Sequence, residues 1–323
     1  MRKTVTGVND SLEFVLERLL QTGKKPDRAS LWCLSNLNTE EAERVRDVWA
    51  QLPPDLRAEA ASWLVKMAEA DFTLDFSQIF WMGMRDEDER VRETAIEGLW
   101  EEEDVRLVPR LAQCLREDKS ASVRAAAARS LGRFVLLGEL ERIRSGPRQM
   151  AYEVLVEAHQ AQDEDIEVQR RALESLAYVG DETVVRSITA CYGSSVEKMR
   201  ISAVFAMGRS ADTRWEQEVQ RELYSTNPEM RYEAARACGE LQVSEAVSML
   251  EELTEDTDAE VQQTAIWALG QIGGDRARHI LEHYCTVEDE ALRSAADAAV
   301  REFEFLHGDL EEVFANLSEE IPW

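Results

Sequence analysis

The stretch VQQTAIWALG, residues 261–270, decides the fold of this chain. Its residues Val261, Ala265 and Leu269 stand four positions apart, so they share one face of an α-helix. An alanine at the middle of that face lets a neighbouring helix approach closely. The stretch therefore predicts a short amphipathic helix that packs against another helix.

The same pattern recurs along most of the chain. Segments that begin at positions 168, 199, 230, 261 and 292 follow one another every 31 residues, and earlier copies begin at 56, 91 and 123. All eight copies have alanine four residues after the start, namely Ala60, Ala95, Ala127, Ala172, Ala203, Ala234, Ala265 and Ala296. A single copy cannot bury its apolar face alone, so the pattern predicts a stacked repeat array.

Each copy is preceded by a polar or acidic turn and by another amphipathic segment, such as residues 182–192 and 277–284. Acidic and polar turn residues cap helix N-termini. A glycine often stands nine residues after the start of a copy, and we expect it to end the helix in a left-handed conformation. These glycines are Gly132, Gly208, Gly239 and Gly270. With no strand pattern in the sequence, the prediction is an all-α fold, a right-handed α-α superhelix of about nine helix pairs.

An arginine column follows the start of most copies. Its members are Arg92, Arg124, Arg200, Arg231 and Arg293. Because acidic turns of adjacent repeats lie nearby, we expect a ladder of arginine contacts to carboxylates or turn carbonyls along the stack. Ligand binding by the column is the alternative.

The run Asp-x-x-x-Val-Arg-x-x-Ala-x-x-x-Leu-Gly resembles the short HEAT-like repeat named after phycobilisome lyase subunits. The resemblance covers roughly residues 56 to 303, and residues 262–273 match it well. It implies a HEAT-like solenoid. It implies little about function, because scaffolds, regulators and a few enzymes share this repeat.

The ends and one interval depart from the repeat. Residues 1–50 are predicted to be a degenerate repeat that caps the array, and residues 51–307 are predicted to be the array itself. The interval between the copies at 123 and 168 has 14 extra residues, which places an insertion near 133–162, with Pro147 at the start of a helix. Residues 308–323 are expected to form an acidic capping helix and tail; an acidic docking peptide is the alternative.

The formal net charge of -27 indicates a strongly acidic surface. Such a surface repels nucleic acid phosphates and anionic membranes, and it suits basic partners. Five cysteines without a CxxC pair indicate reduced thiols. No signal peptide and no apolar run long enough to span a membrane is visible, so we expect a cytoplasmic protein.

The sequence offers little catalytic chemistry. His279 and His283 could place two metal ligands on one helix face, but the repeat alignment puts both on the solvent side of a first helix. No His-Glu dipeptide of the deoxyhypusine hydroxylase type occurs, and no phosphate-binding or nucleophile motif is present. We therefore expect no catalytic residues, no metal site and no cofactor.

One surface is predicted to bind a partner. Positions two and six after each start point away from the core face, and in three successive copies they are occupied by apolar, aromatic, arginine or glutamine residues. These residues are Ile201, Phe205, Tyr232, Arg236, Gln263 and Trp267. Aromatic and arginine side chains are enriched at binding hot spots. The alternatives are burial within the chain and self-association.

The sequence leaves three functions open. The first is a scaffold or adaptor that binds a protein or peptide on the concave face of the solenoid. The second, implied only by the resemblance, is a bilin lyase subunit or a chaperone-like partner of pigment proteins. The third is a metal-dependent enzyme on a HEAT scaffold.

Overall fold

A computed structural model describes residues 12–22 and 30–307. Within these ranges every regular element is a helix. The chain divides into two compact units, residues 1–175 and 176–323. The predicted all-α class of stacked helix pairs is confirmed.

The N-terminal unit contains one helix that precedes the regular pairs, α1 (Leu12–Thr22), and a short 3₁₀ helix at Ser30–Leu34. Four helix pairs follow. They are α2 (Thr39–Trp49) with α3 (Pro54–Ala70), α4 (Ser77–Gly83) with α5 (Glu89–Gly98), α6 (Leu107–Glu117) with α7 (Ala121–Glu139), and α8 (Ser145–Gln160) with α9 (Ile166–Leu176).

The C-terminal unit continues with four more pairs. They are α10 (Glu182–Tyr192) with α11 (Glu197–Arg209), α12 (Glu216–Glu222) with α13 (Pro228–Glu240), α14 (Val247–Leu253) with α15 (Ala259–Ile272), and α16 (Asp275–Tyr284) with α17 (Glu290–His307). Short 3₁₀ turns lead into α12 and α14. The second helices α11, α13, α15 and α17 lie side by side in this unit, and each first helix packs against the second helix of its own pair.

The repeat template describes the core correctly. Val261, Ala265 and Leu269 of α15 are fully buried, as are their counterparts in most other second helices. Burying such side chains contributes roughly 25 cal/mol for each Å² of apolar surface removed from water. The constant positions of the repeat therefore hold the stack together.

The arginine ladder is confirmed in both units. Arg92 donates to both carboxylate oxygens of Asp118, at 2.7 and 2.8 Å, and to the carbonyl oxygen of Asp86 at 2.9 Å. Arg231 makes the same contacts, with Asp256 at 2.6 and 2.7 Å and with the carbonyl oxygen of Ser225 at 2.8 Å. Each guanidinium thus fastens its own turn to the next one through a bidentate ion pair.

The ladder is not uniform along the column. Arg124 reaches Glu164 in the same bidentate manner. Arg200 instead donates to the carbonyl oxygen of Ser194 and lies 4.0 Å from Glu197 on its own helix, and Arg293 donates to the carbonyl oxygen of Val287. The contact to a turn carbonyl is therefore the common feature, and the carboxylate depends on the residue in the next turn.

The expectation that the recurrent glycines end their helices is wrong. Gly132, Gly208, Gly239 and Gly270 all lie inside helices. The left-handed residues that follow α11 and α13 are Ala211 and Gln242, with φ of 51° and 53°. The glycines serve close packing instead, since a Cβ on Gly239 would lie 2.9 Å from the Cα of Ala268 on the next second helix. Gly208 meets Ala237, and Gly270 meets Ala299, in the same way.

The extra residues between the copies at 123 and 168 lengthen two helices. α7 has 19 residues and α8 has 16, and α8 begins at Ser145, two residues before Pro147. Phe134 and Val135 in the added part of α7 are fully buried. The added length is thus packed into the N-terminal unit. The predicted acidic segment 308–323 lies outside the described residues.

Candidate functional site

The six residues predicted to bind a partner lie on three consecutive second helices of the C-terminal unit, and the structure buries two of them. Ile201 on α11 is 2% exposed and Arg236 on α13 is 9% exposed, so the expectation that they face solvent is wrong there. The physical reason is that α11 and α13 pack against second helices as well as first helices, which covers more than one face. Phe205, Tyr232 and Trp267 are half-buried, and Gln263 is exposed.

Four residues of this set are at least partly exposed, and Arg236 contacts the ring of one of them, Phe205. We call these five residues the aromatic row. They are Phe205, Tyr232, Arg236, Gln263 and Trp267. Tyr232 precedes Arg236 by one helical turn, and Gln263 precedes Trp267 by one turn. The repeat spacing of 31 residues thus brings equivalent positions of neighbouring helices into one row.

Two guanidinium groups clamp the ring of Phe205. The Arg236 guanidinium carbon lies 4.3 Å from the ring centroid, and that of Arg209 lies 5.7 Å from it. Arg236 Nε donates to Glu233 at 2.8 Å, and its Nη2 donates to the carbonyl oxygen of Phe205 at 3.4 Å. Cation–π contacts of this kind contribute about 1 kcal/mol each, so the ring is held in place before any partner arrives.

Glu240 links the two arginines. Its Oε1 accepts from Arg236 Nη1 at 2.5 Å and lies 3.2 Å from Arg209 Nη1. Burial raises the pKa of the Glu240 carboxyl above its ordinary value, against the opposing effect of the two guanidiniums. The cluster therefore joins α11 to α13 and fixes the back of the Phe205 ring.

Trp267 extends the row onto α15. Its Cζ3 lies 2.8 Å from the position that a Cβ of Gly239 would occupy, so the indole packs directly over that glycine. The sequence pattern predicted the aromatic position but not this packing, because it depends on a glycine in the preceding repeat.

A second candidate site lies on first helices of the N-terminal unit, where the sequence predicted none. Helices α2, α4 and α6 border a groove of about 900 Å³. We call it the cationic groove and define it by Arg46, Trp49, Trp81, Arg85 and Arg110. The repeat pattern was aligned on second helices. It therefore did not cover these side chains, which come from three first helices and one turn. The signal that could have revealed them is the local spacing of arginine and tryptophan at i, i+3 or i, i+4, as in Arg46 and Trp49.

The two histidines that could have been metal ligands lie at the surface. His279 and His283 on α16 are both exposed, as the repeat alignment predicted. Among the described residues, no three side chains of metal-binding type are grouped closely enough to hold an ion.

Over residues 12–22 and 30–307, none of the helices combines the length and apolar character needed to cross a bilayer.

The model of the family of HEAT repeats matches this chain at residues 43–132, 79–158 and 217–301. These segments include most of the helix pairs of both units. No curated protein matches the sequence.

Solved structures provide further comparisons. The complex of CpcE and CpcF of phycocyanin lyase from Nostoc sp. PCC7120 is similar at 17% identity and a TM-score of 0.51, over 93% of this chain and 99% of that chain. Importin beta is similar at 14% identity and a TM-score of 0.47, over 95% and 49%. Human deoxyhypusine hydroxylase is similar at 17% identity and a TM-score of 0.36, over 91% and 96%. At 17% identity, the likeness to the phycocyanin lyase complex shows the fold alone.

Proposed function

Because the chain belongs to the family of HEAT repeat proteins, we propose that it is a scaffold that binds a protein or peptide along the aromatic row of its C-terminal unit. Stacked helix pairs present many side chains on one continuous face, and this architecture suits extended contacts. The fold does not identify the partner, so the proposal depends on the side chains of the aromatic row.

The observation that carries the proposal is the composition and rigidity of the aromatic row. Phe205, Tyr232 and Trp267 are all half-buried and lie on consecutive second helices. Tryptophan, tyrosine and arginine dominate binding hot spots, and a side chain that is already fixed loses little entropy on binding. The clamp of Arg236 and Arg209 on Phe205 provides such preorganisation.

Charge narrows the class of partner. With a net charge of -27, the chain attracts basic proteins over long distances and repels acidic ones. The row itself offers aromatic faces and the exposed amide of Gln263. A basic protein segment with apolar side chains suits both features.

Site-specific photocrosslinking tests the proposal. A benzoylphenylalanine replaces Tyr232 in one variant and Tyr224 in a matched control, since Tyr224 is exposed in the turn that follows the first helix α12 and is not on a second helix. We expect irradiation in a lysate of the source organism to attach a defined protein at position 232 and not at position 224. Equal labelling at both positions, or crosslinking only to a second copy of the chain, would contradict a scaffold function of the row.

A second measurement quantifies the contribution of the row. Tyr232→Ala combined with Gln263→Ala removes two surface groups without touching the clamp on Phe205. We expect the double variant to bind the identified partner at least about tenfold more weakly, as truncation at a hot spot does. An unchanged affinity would place the contact elsewhere, and unfolding by urea checks that the variant keeps its stability.

A further inference from the structure

The cationic groove lies in a different unit from the aromatic row and has the opposite chemistry. Its lining contains five arginines but only two carboxylates, those of Asp86 and Glu87. The arginines are Arg46, Arg57, Arg85, Arg106 and Arg110. An excess of positive groups at one place is unexpected in a chain with 64 acidic and 37 basic residues.

Two of these arginines are neutralised. Arg57 is almost fully buried and pairs with Asp86, with Nε and Oδ2 at 2.8 Å. Arg106 pairs with Asp104 at 2.5 Å. These two contribute little positive potential to the groove.

The other three guanidiniums have no carboxylate partner among the described residues. Arg46 and Arg85 are exposed and make no ion pair with any described side chain. Arg110 donates to the amide oxygen of Gln113 at 2.8 Å and to the carbonyl oxygen of Met84 at 3.1 Å. Donors remain available on all three groups, because a guanidinium has five N–H donors.

Tryptophan provides an apolar surface between these cations. The indole N–H of Trp49 donates to Asp86 Oδ2 at 3.1 Å, so that ring is fixed against the buried Arg57–Asp86 pair. Trp81 and Met82 on α4 are half-buried beside it. The groove therefore combines planar, bidentate donors with an aromatic contact surface.

This combination identifies the class of ligand. Guanidinium groups recognise carboxylates in a bidentate manner, and tryptophan favours an aromatic or apolar side chain. A volume of about 900 Å³ exceeds what a single small anion fills. A nucleic acid would extend beyond the groove onto a surface whose net charge repels phosphates, whereas a short peptide stays within about one Debye length of the three cations.

We propose that the cationic groove binds an acidic peptide segment that carries an aromatic side chain, supplied by a partner protein. Carboxylates of the segment pair with Arg46, Arg85 and Arg110, and its aromatic side chain packs on Trp81. This would be a second binding surface, independent of the aromatic row.

Fluorescence anisotropy on the full chain tests the proposal. The probe is a fluorescein-labelled synthetic peptide, Glu-Asp-Phe-Glu-Glu-Phe-Asp-Glu, and the comparison probes are its Gln/Asn counterpart and a thymidine oligonucleotide of similar length. We expect saturable binding of the acidic peptide, and binding of both comparison probes at least about tenfold weaker. Equal or tighter binding of either comparison probe, or no saturable binding of the acidic peptide, would overturn the proposal.

Variants locate the binding. Arg46→Glu combined with Arg85→Glu reverses two exposed, unpaired charges, and we expect the affinity for the acidic peptide to fall at least about tenfold. Arg144→Glu combined with Arg301→Glu is the matched control, because it changes the net charge equally at exposed positions elsewhere. Similar losses in both double variants would mean a general charge effect and would contradict a site in the groove.

Trp81→Ala tests the aromatic contact. We expect this variant to lose the preference for the Phe-containing peptide over a peptide with Gly at those positions, and an intact preference would contradict the aromatic contact.

Discussion

The two units hold adjacent repeats together by the same two kinds of contact in different proportions. In the N-terminal unit, bidentate or buried ion pairs join three successive turns: Arg57–Asp86, Arg92–Asp118 and Arg124–Glu164. One close glycine contact, Gly132–Ser175, joins the second helices α7 and α9 of that unit. The described part of the C-terminal unit has one such ion pair, Arg231–Asp256, and three close glycine contacts between second helices: Gly208–Ala237, Gly239–Ala268 and Gly270–Ala299. One repeat template therefore allows the balance between charge pairing in the turns and close backbone approach in the helices to vary along the chain.

The largest effect is expected where the glycine contacts are broken. Gly239→Val places side-chain atoms within 3 Å of Ala268 and of the Trp267 ring, and neither the backbone nor the indole can move away cheaply. Overpacking of this kind costs about 3 kcal/mol. The free energy of unfolding from urea titrations, followed by circular dichroism, measures the loss.

Gly180→Val serves as the control for that substitution. A Cβ at Gly180 meets no atom within 4 Å, so we expect a change below about 0.5 kcal/mol. Equal destabilisation by both substitutions would mean that the close approach of α13 and α15 is unimportant.

The glycines also show where sequence reasoning failed. Their position near the end of the apolar pattern made a helix stop the natural interpretation, and the pattern alone cannot distinguish a stop from a close contact. The distinction depends on Ala237, Ala268 and Ala299, which lie 29 residues further along and become neighbours only after stacking. The buried columns at Val261 and Ala265 were predictable because a helix period is local.

A smaller effect is expected from the ion pairs of the ladder. Arg92→Met leaves the carboxylate of Asp118 largely buried with only a backbone donor, the N–H of Ser120. We expect a loss of about 2 kcal/mol in the free energy of unfolding. Arg200→Met, where the arginine has no carboxylate in the next turn, is expected to cost less than about 1 kcal/mol. Equal costs would mean that the turn carbonyl, and not the carboxylate, provides the stabilisation.

The candidate sites were predictable to unequal degrees. The aromatic row could be located because its members recur at one register, but the burial of Ile201 and Arg236 could not, since it depends on the width of contact between second helices. The cationic groove was missed because Arg46, Trp81 and Arg110 are distant in sequence and occupy first helices, which the template did not align. Residues that meet only across repeats need the structure.

Acid pH provides a further test of the ladder in the C-terminal unit. The hydrogen bonds from Arg231 hold the pKa of Asp256 below its ordinary value of 3.8. A depressed pKa contributes stability that is present above the ordinary pKa and is lost as the pH falls through the folded-state pKa. We therefore expect the difference in free energy of unfolding between the native chain and Arg231→Met to be constant from pH 7 to about 5, and to shrink progressively as the pH falls below about 4. A difference that is unchanged at pH 3 would contradict this role of Asp256.

The smallest effect is expected from completing the ladder. Ser225 stands 25 residues after Arg200, at the same register as Asp256 relative to Arg231, so Ser225→Asp places a carboxylate where the next turn lacks one. The new side chain can accept from the N–H of Asn227 as the serine hydroxyl does, and it can also pair with Arg200. We expect a gain of about 0.5–1 kcal/mol in the free energy of unfolding at low salt, with a smaller gain at 1 M salt because the pair is partly exposed. Ser225→Asn matches the shape without the charge, and the gain should also disappear when Ser225→Asp is combined with Arg200→Met. If the asparagine variant gains as much, the turn hydrogen bond alone would account for the stabilisation, and an added ion pair with Arg200 would contribute nothing to the free energy of unfolding.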